Sequence, residues 1–394
     1  MIRSILNVAA REWGWMRGQR KYLALVVIAP IAYMIALGLI YSPKKVLHVP
    51  VMIVDQDHSR LSRQLTTALL ASETFALGGY SETADDFPRE VALDRAHVCF
   101  VFPAGLERDL LAHRPVRVQV LLDYSNYLAG TAELSAANTV LGTFSVGTQI
   151  RMLEAARGVS PDTSLLRVIP FEMNTRMWFN PAFNGNYLNY LAVGLAYVVV
   201  QLAGLFFTIR AGSSELRGQH ATPLRQTESR VWIALAGKLL PYFLAAVPLS
   251  IIVTHLAHWF FAAPQLETQP SFWFVLIWFD AVMVTLGYGL SCVAGEPVFA
   301  TEMCASLTMP NFLLTGYTWP IFAMPKIMWI MAYGLPMNPI VFMTRKITTM
   351  GGGLADCGAQ LIGLAAWSLI ALALAWCGTR KILSTAQEEP AAHV

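Results

Sequence analysis

The chain of 394 residues is too apolar to be a soluble protein. Hydrophobic residues make up 55% of it and charged residues 13%, and its mean hydropathy is +0.49. Soluble proteins carry about a quarter charged residues, so this excess of apolar side chains belongs in a lipid bilayer. The net charge of +3 and the absence of a basic run argue against a nucleic-acid partner. The five cysteines show neither metal nor disulfide spacing, which excludes zinc and redox chemistry.

The first apolar run, residues 22–41, predicts a transmembrane helix. Residues 1–21, which precede it, hold five basic residues and one acid, Glu12. The positive-inside rule therefore places the N-terminus in the cytoplasm. Apolar residues recur at helical spacing within 1–21, which predicts an interfacial helix on the inner membrane surface. A disordered basic flank is the alternative.

Five further apolar runs are long enough to cross a bilayer, which gives six predicted spans with both chain ends inside. They cover residues 188–209, 232–261, 272–294, 303–322 and 361–377. The loop after the second span, 210–230, contains four arginines, as expected of a cytoplasmic segment. The loop 262–271 has neither lysine nor arginine and is predicted to lie outside.

Residues 323–356 are predicted to form a re-entrant helical hairpin at the outer side of the membrane. Prolines at positions 320, 325, 336 and 339 divide this apolar stretch into pieces too short to span a bilayer. Residues 187–384 are thus assigned to a transmembrane domain with helices two to six. Residues 385–394, after Arg380 and Lys381, are assigned to a cytoplasmic tail.

The segment 42–186 has the composition of a soluble domain and is predicted to lie outside the membrane. Strands and helices alternate along it, which predicts an inserted α/β domain. Asp57 or Ser59 is expected to cap its first helix. The predicted strands are 49–54, 75–80, 97–102 and 116–124, the predicted short helices are 59–71, 83–95 and 105–113, a long helix covers 126–157, and an extended segment covers 165–179.

The sequence carries no motif for ATP binding. Gly237 and Lys238 are followed by Leu239 inside an apolar segment, so they are not part of a phosphate-binding loop. Energy must then come from a partner or an ion gradient. No metal site is predicted, because His255 and His258 have no third ligand. Asp280 is a charge within a span, so it is expected to line a path or to bond a neighbouring helix.

The order of these parts resembles the permease subunits of type-two ABC exporters, and the resemblance covers nearly the whole chain. Five stretches carry it, of which the last two are the most distinctive. They are the opening strand and helix at 51–63, Asp123-Tyr-Ser-Asn126, Arg176 with Phe179-Asn-Pro181, Gly237-Lys-Leu-Leu-Pro-Tyr242, and Thr315-Gly-Tyr-Thr-Trp-Pro-Ile-Phe-Ala-Met-Pro325.

The resemblance implies a dimer of permeases driven by two cytoplasmic ABC ATPase subunits. The chain would then be a transport subunit rather than an enzyme, with no cofactor or catalytic residue of its own, and ATP and magnesium would bind to the partner. Loop 210–230 would be the coupling segment. The residues expected to couple to the ATPase are Arg210, Glu215, Arg217, Leu224 and Thr227. The residues expected along the translocation path are Asp280, Thr315, Gly316, Tyr317, Pro320, Met324 and Pro325.

One departure from the family pattern concerns loop 210–230. Family members usually carry Arg-Glu and Gly-Thr there, whereas this chain has Ser214-Glu215 and Gln219-His220 at those places. The resemblance therefore suggests weak coupling and pairing with a second, more regular permease. From composition alone, the loop is equally compatible with a solvated turn whose charges only set the topology.

The predicted function is ATP-driven export of a small amphipathic, drug-like or lipid-like molecule across a bacterial inner membrane. Many relatives with such an outer domain work with a periplasmic adaptor and an outer-membrane channel. Two alternatives remain open: a membrane-anchored sensor or assembly protein with a ligand-binding outer domain, and an ion-coupled secondary transporter. The identity of the substrate, and the choice between homodimer and heterodimer, do not follow from the sequence.

Overall fold

A computed structural model describes residues 1–40, 46–112, 114–125, 127–157, 187–261, 270–317 and 321–385. The chain divides into two compact units. One comprises Met1–Ser42 with Trp178–Val394, and the other comprises Pro43–Met177. The predicted extended segment 165–179, the motif around Phe179 and most of the loop 262–271 lie outside the described residues.

The Pro43–Met177 unit contains a mixed four-stranded sheet, as the α/β prediction requires. The strands are β1 (Val49–Asp55), β2 (Phe75–Tyr80), β3 (Val98–Phe102) and β4 (Gln119–Leu122). Their spatial order is β2-β1-β3-β4. Strand β1 pairs in parallel with β2 and β3, whereas β4 pairs antiparallel with β3.

Helices cover both faces of this sheet, which is why its two central strands are almost entirely buried. The helices are α3 (Arg60–Leu70), α4 (Phe87–Ala92), α5 (Leu106–Leu111) and the long α6 (Tyr127–Arg157). Because side chains alternate along a strand, Ile53 and Phe100 pack with residues of α3 and α6. Val54 and Cys99 pack instead with Phe87 of α4.

Two aspartates of this unit, Asp57 and Asp123, accept hydrogen bonds from backbone amides in its loops. Ser59, one of the two expected caps, is the N-cap of α3 and accepts a hydrogen bond from the Ser62 amide. Asp57 has a different role, because its carboxylate accepts hydrogen bonds from the amides of Gly105 (2.7 Å) and Glu107 (3.0 Å) at the start of α5. Asp123 accepts from the Ser125 amide at 2.9 Å and closes the turn after β4.

The other unit is almost entirely helical. Gln19 is the C-cap of helix α1 (Ile2–Gly18), and helix α2 (Arg20–Ile40) begins at the next residue. The remaining helices are α7 (Tyr187–Thr208), α8 (Ala211–Leu216), α9 (Leu224–Thr227), α10 (Val231–Phe261), α11 (Pro270–Ala294), α12 (Pro297–Leu314), α13 (Lys326–Tyr333), α14 (Met337–Thr344) and α15 (Gly358–Thr385).

Among the described residues, five helices are long and apolar enough to cross a membrane. They correspond to α2, α7 extended through α8, α10, α11 and α15 with the turn before it. A sixth span results only if Lys326–Tyr333 and Met337–Thr348, which are bent by 89° at a short break, are counted as one. The same bend is compatible with the re-entrant hairpin predicted at 323–356.

The predicted span 303–322 differs from the observed helix. Helix α12 runs from Pro297 to Leu314 and is not among the five candidate spans. It ends early because Gly316 adopts a left-handed backbone with φ of 82°, which glycine tolerates without steric cost. Its sequence is also more polar than that of the others, with Thr301, Glu302, Ser306, Thr308 and Asn311.

Replacing Asp57 with asparagine should loosen the start of α5. Burial would raise the pKa of Asp57, but hydrogen bonds from Ser59 and the backbone amides outweigh it and lower the pKa. Its stabilising contribution, on the order of 1 kcal/mol by comparison with a side chain that caps its own helix, is therefore complete above the ordinary aspartate pKa near 4 and disappears as the pH falls. Hydrogen exchange in the full chain should show faster exchange of the Gly105 and Glu107 amides in Asp57→Asn. The exposed Asp85 provides the control, and equal exchange in wild type, Asp57→Asn and Asp85→Asn would refute this role.

Candidate functional site

Helix α1 packs directly against α10, and a glycine permits the close contact. A Cβ atom added at Gly237 would lie 2.6 Å from Cβ of Val8 and 2.7 Å from the carbonyl oxygen of Ile5. Both distances are below any contact that a real Cβ atom makes. The small residue at 237 therefore brings the backbone of α1 against α10, and the next residue of α10 faces a side chain of α1.

That next residue is Lys238, and its ammonium group lies between two carboxylates. Nζ of Lys238 donates to Oε2 of Glu12 on α1 at 2.8 Å and to Oε1 of Glu215 on α8 at 2.9 Å. The side chains of Lys238 and Glu12 are fully buried, and that of Glu215 is 3% exposed. A buried charge is stable only when it is paired and hydrogen-bonded, so these three residues depend on each other.

Three further side chains complete this group. Nη1 of Arg11 lies 2.7 Å from Oε1 of Glu215, and its Nε donates to the backbone carbonyl of Thr222 at 2.7 Å. The hydroxyl of Tyr242 donates to Oε1 of Glu12 at 2.6 Å. Nε2 of His220 lies 3.5 Å from Glu215. We call the six residues the charge cluster: Arg11, Glu12, Glu215, His220, Lys238 and Tyr242.

The electrostatics of the charge cluster keep its acids ionised. Burial is the largest single influence and would raise the pKa of Glu12, but the charge of Lys238 and the interactions with Lys238 and His220 together outweigh it, so the pKa of Glu12 falls well below its usual range. Glu12, Glu215 and His220 also have donor atoms within 4.8 Å of one another, which would suit a metal ion. The ammonium of Lys238 and the guanidinium of Arg11 already balance both carboxylates there, so a divalent cation would meet two positive charges.

The charge cluster ties three separate parts of the sequence together. Glu12 and Arg11 come from α1, Glu215 and His220 from residues 210–230, and Lys238 and Tyr242 from α10. The ring of His220 also stacks on Trp15 of α1, with ring centroids 4.6 Å apart. Residues 210–230, which we call the coupling segment, are thus held to α1 and α10 by ion pairs rather than by apolar contacts alone.

The five residues predicted to couple to an ATPase do not all face the same way. Glu215 points inward to the charge cluster, and Leu224 is buried at 1% exposure. Arg210 donates to Oε1 of Gln19 at 3.1 Å and lies over the Tyr22 ring, so it also contacts the chain's own N-terminal region. Arg217 is half exposed and pairs with Glu296 at 3.1 Å. Thr227 is half buried at the end of α9.

The residues predicted for a translocation path also lie in different surroundings. Asp280 is fully buried, and its Oδ1 accepts from Ser250 of α10 at 2.8 Å. Thr315 and Tyr317 are buried next to Gly316. Arg345 lies over the Tyr317 ring at 5.8 Å. Met324 and Pro325 lie at the start of α13, and Pro320 lies outside the described residues.

Most of the charge cluster did not emerge from the sequence. Only Glu215 was expected at a functional position, and there as a surface residue. Two signals for the rest were present: Lys238 is a lone charge inside an apolar run, and Glu12 is the single acid among the basic residues of 1–21. A charge in a predicted span requires a partner. Glu12, the single acid of the predicted interfacial helix, was a candidate partner for Lys238.

The fold and the charge cluster together define a multi-pass helical membrane protein with a small α/β unit inserted after its first span. Comparison with known families is consistent with this class. Residues 20–377 match the ABC-2 family transporter protein model, so the chain belongs to that family. It is a transmembrane permease subunit without an ATPase domain, and the family implies a partner ATPase that uses ATP.

Two relatives from Escherichia coli are distantly similar to this chain. The probable multidrug ABC transporter permease YbhR of strain K12 is 20% identical over 347 residues, which are 88% of this chain and 89% of YbhR. The probable multidrug ABC transporter permease YbhS of the same strain is 22% identical over 215 residues, which are 54% of this chain and 56% of YbhS.

Replacing Lys238 with methionine should destabilise the permease strongly, because it leaves Glu12 and Glu215 buried without this partner. Removing one member of a buried ion pair typically costs about 3–5 kcal/mol. Thermal unfolding of the purified protein should show a large drop for Lys238→Met and a smaller one when Glu12→Gln is added. Arg217→Ala is the control, since its pair with Glu296 is half exposed and worth less than about 1 kcal/mol. Equal effects of Lys238→Met and Arg217→Ala would contradict this role.

A leucine at position 237 should displace α1 from α10 without changing any charge. The added side chain would collide with Val8 and Ile5 of α1. A cysteine introduced at the buried position of Val8 should then react with a thiol reagent much faster in Gly237→Leu than in the parent. Gly14→Leu is the matched control, because nothing lies within 4 Å of a Cβ at Gly14. Unchanged reactivity in Gly237→Leu would show that the two helices are not in close contact.

Proposed function

We propose that this chain is the permease of an ATP-driven exporter, and that the coupling segment transmits the movement of an ATPase to the membrane helices through the charge cluster. The observation that carries the proposal is the position of Lys238, whose ammonium group bonds both Glu12 of α1 and Glu215 of the coupling segment. Membership in the ABC-2 family supports a partner ATPase as the source of this movement.

The coupling segment has one buried side and one exposed side. Glu215, His220 and Leu224 are directed into the protein. Between them, the stretch 217–219 and the stretch 221–223 are exposed. We call residues 217–223 apart from His220 the docking ridge. An ATPase in the cytoplasm would contact the docking ridge, while the buried residues would carry the resulting displacement.

The displacement would be transmitted as a rigid-body movement. An ion pair in a low-dielectric interior is far stronger than one in water, so the coupling segment, α1 and the start of α10 are expected to move together when the docking ridge is pushed. A small displacement at one site is commonly amplified into a larger movement when packed helices change from one arrangement to another. Helix α11 also contacts this region, because Ser291 accepts from the Ser213 amide at 3.0 Å.

The proposed assembly is a dimer of permeases in a bacterial inner membrane, with both chain ends in the cytoplasm and the α/β unit outside. The second permease is either another copy or a paralogue, and a periplasmic adaptor with an outer-membrane channel would extend the path. Magnesium and ATP would bind to the ATPase subunits. The printed names of YbhR and YbhS support a multidrug substrate, so we propose a small amphipathic, drug-like or lipid-like molecule that passes near Thr315–Pro325.

The variant Glu215→Lys is a poor test of this coupling, because its ammonium group would lie among Arg11, Lys238 and His220 and disrupt the fold. A bulky residue on the docking ridge is a more specific test. Ala221→Trp leaves every residue of the charge cluster in place and should reduce ATPase co-purified with the permease at least tenfold. Ala92→Trp, at an exposed site of α4, is the matched control and should co-purify normally. Undiminished co-purification and transport by Ala221→Trp would exclude the docking ridge as the contact.

The export step itself can be followed in inside-out vesicles that contain the permease and its ATPase. With Nile red as a membrane-partitioning probe, wild type should move the dye upon addition of ATP, and Ala221→Trp should not. Movement driven by an imposed proton gradient without ATP would favour the ion-coupled alternative. Ligand binding to the α/β unit with no movement of any probe would favour the sensor alternative.

A further inference from the structure

Two side-chain amides, one on α7 and one on α12, are buried without a full set of hydrogen bonds. Gln201 of α7 is 0% exposed and Asn311 of α12 is 1% exposed. Nε2 of Gln201 donates to Oγ1 of Thr308 at 3.3 Å, but its Oε1 has no partner among the described residues. Neither Nδ2 nor Oδ1 of Asn311 has one there either.

Gln201 is bonded to the same face of α12 that carries Asn311. Helices α7 and α12 pack against each other, and the Gln201 to Thr308 hydrogen bond joins them. Thr308 and Asn311 are three residues apart, so they lie on the same face of α12, one turn from each other. Asn311 therefore lies on the face of α12 that carries Thr308, the residue bonded to Gln201.

Folding gives no reason to keep two such residues in that interface. A buried polar group without a partner is costly, and the cost is greater where lipid excludes water. Asn338, another buried amide of this unit, differs from Asn311 in one respect: its nitrogen donates to the carbonyls of Leu314 and Ala332, although its Oδ1 has no partner among the described residues. Unsatisfied buried groups in native proteins call for a ligand, a water molecule or a functional reason.

We propose that Gln201 and Asn311 form an uncharged hydrogen-bonding subsite for the transported molecule. This subsite rests on the proposed export function and specifies which class of molecule the permease transports. The unpartnered atoms supply two acceptors, Oε1 of Gln201 and Oδ1 of Asn311, and the donor group Nδ2 of Asn311. This subsite takes neutral amphipathic molecules that carry amide, sulfonamide or hydroxyl groups.

A cationic ligand gains little from this subsite. Neither amide has a charge to balance an ammonium group that leaves water, and an unpaired buried charge is strongly unfavourable. The buried acids lie elsewhere in the unit: Glu12 and Glu215 bind Lys238, and Asp280 of α11 accepts from Ser250 through Oδ1. The subsite is accordingly expected to select for hydrogen-bonding groups rather than for positive charge.

Direct binding to the full-length permease in nanodiscs tests the proposal without any ATPase. Dansylamide, which is neutral and carries an N–H donor, and its N,N-dimethyl derivative, which does not, are titrated and followed by fluorescence. Wild type should bind dansylamide about tenfold more tightly, and the double variant Gln201→Leu with Asn311→Leu should bind both probes equally. No saturable binding of dansylamide, equal affinities in wild type, or a preference retained in the double variant would each overturn the subsite.

Thermal unfolding of the same samples separates a ligand site from a structural one. Asn311→Leu should melt at the same temperature as wild type or higher, because it removes a polar group that the fold leaves unbonded. Asn338→Leu is the matched control: Asn338 is buried to a similar degree, but its amide nitrogen is bonded, so this variant should melt lower. A drop for Asn311→Leu as large as that for Asn338→Leu would overturn the proposal, since it would show that water or protein satisfies the amide. A permease that retains the dansylamide preference but shows no ATP-driven export would refute the proposed function alone.

Discussion

A single buried ammonium group, that of Lys238, is the interaction on which the membrane unit depends. Two carboxylates from distant parts of the sequence, Glu12 and Glu215, are within hydrogen-bond distance of it. Removing three charges from water is costly, and the arrangement is stable only while all three are together. The position of α1, the path of residues 210–230 and the entry into α10 are therefore set by one electrostatic requirement.

The polar groups of this unit fall into two classes with different consequences. Charges occur where α1, the coupling segment and α10 meet, and there Lys238 and Arg11 pair with Glu12 and Glu215. Uncharged amides occur on α7 and α12, where Oε1 of Gln201 and both polar atoms of Asn311 lack partners within the described part of the chain. The first arrangement favours rigid connection, as transmission of a mechanical step requires. The second is an interface whose polar atoms are still able to bind another molecule.

The elements of the α/β unit were largely predictable because their signals are local. The prediction for β2 agrees with the observed Phe75–Tyr80, and Ser59 is the cap of α3. The observed helix α4, Phe87–Ala92, is shorter than the predicted helix 83–95. A separate 3-10 turn, Ala84–Asp86, precedes it. The span predicted at 303–322 differs from helix α12, which runs from Pro297 to Leu314, because apolarity alone does not register the left-handed backbone at Gly316 or the polar residues of α12. Glu215 was predicted to couple to an ATPase, and that role stays a prediction; its inward direction depends on Lys238, which lies 23 residues away in the sequence.

Composition and periodicity by themselves determined that this chain is a helical membrane protein with an α/β insertion, because apolar length and strand alternation are properties of short segments. Only the tertiary structure decided which charges meet. Glu12, Glu215 and Lys238 have no common motif, and their pairing follows from the close approach of α1 to α10 at Gly237. The same holds for Gln201 and Asn311, whose missing partners become apparent only when two helices are packed together, since hydrogen-bond satisfaction is a property of the folded surroundings and not of the residue.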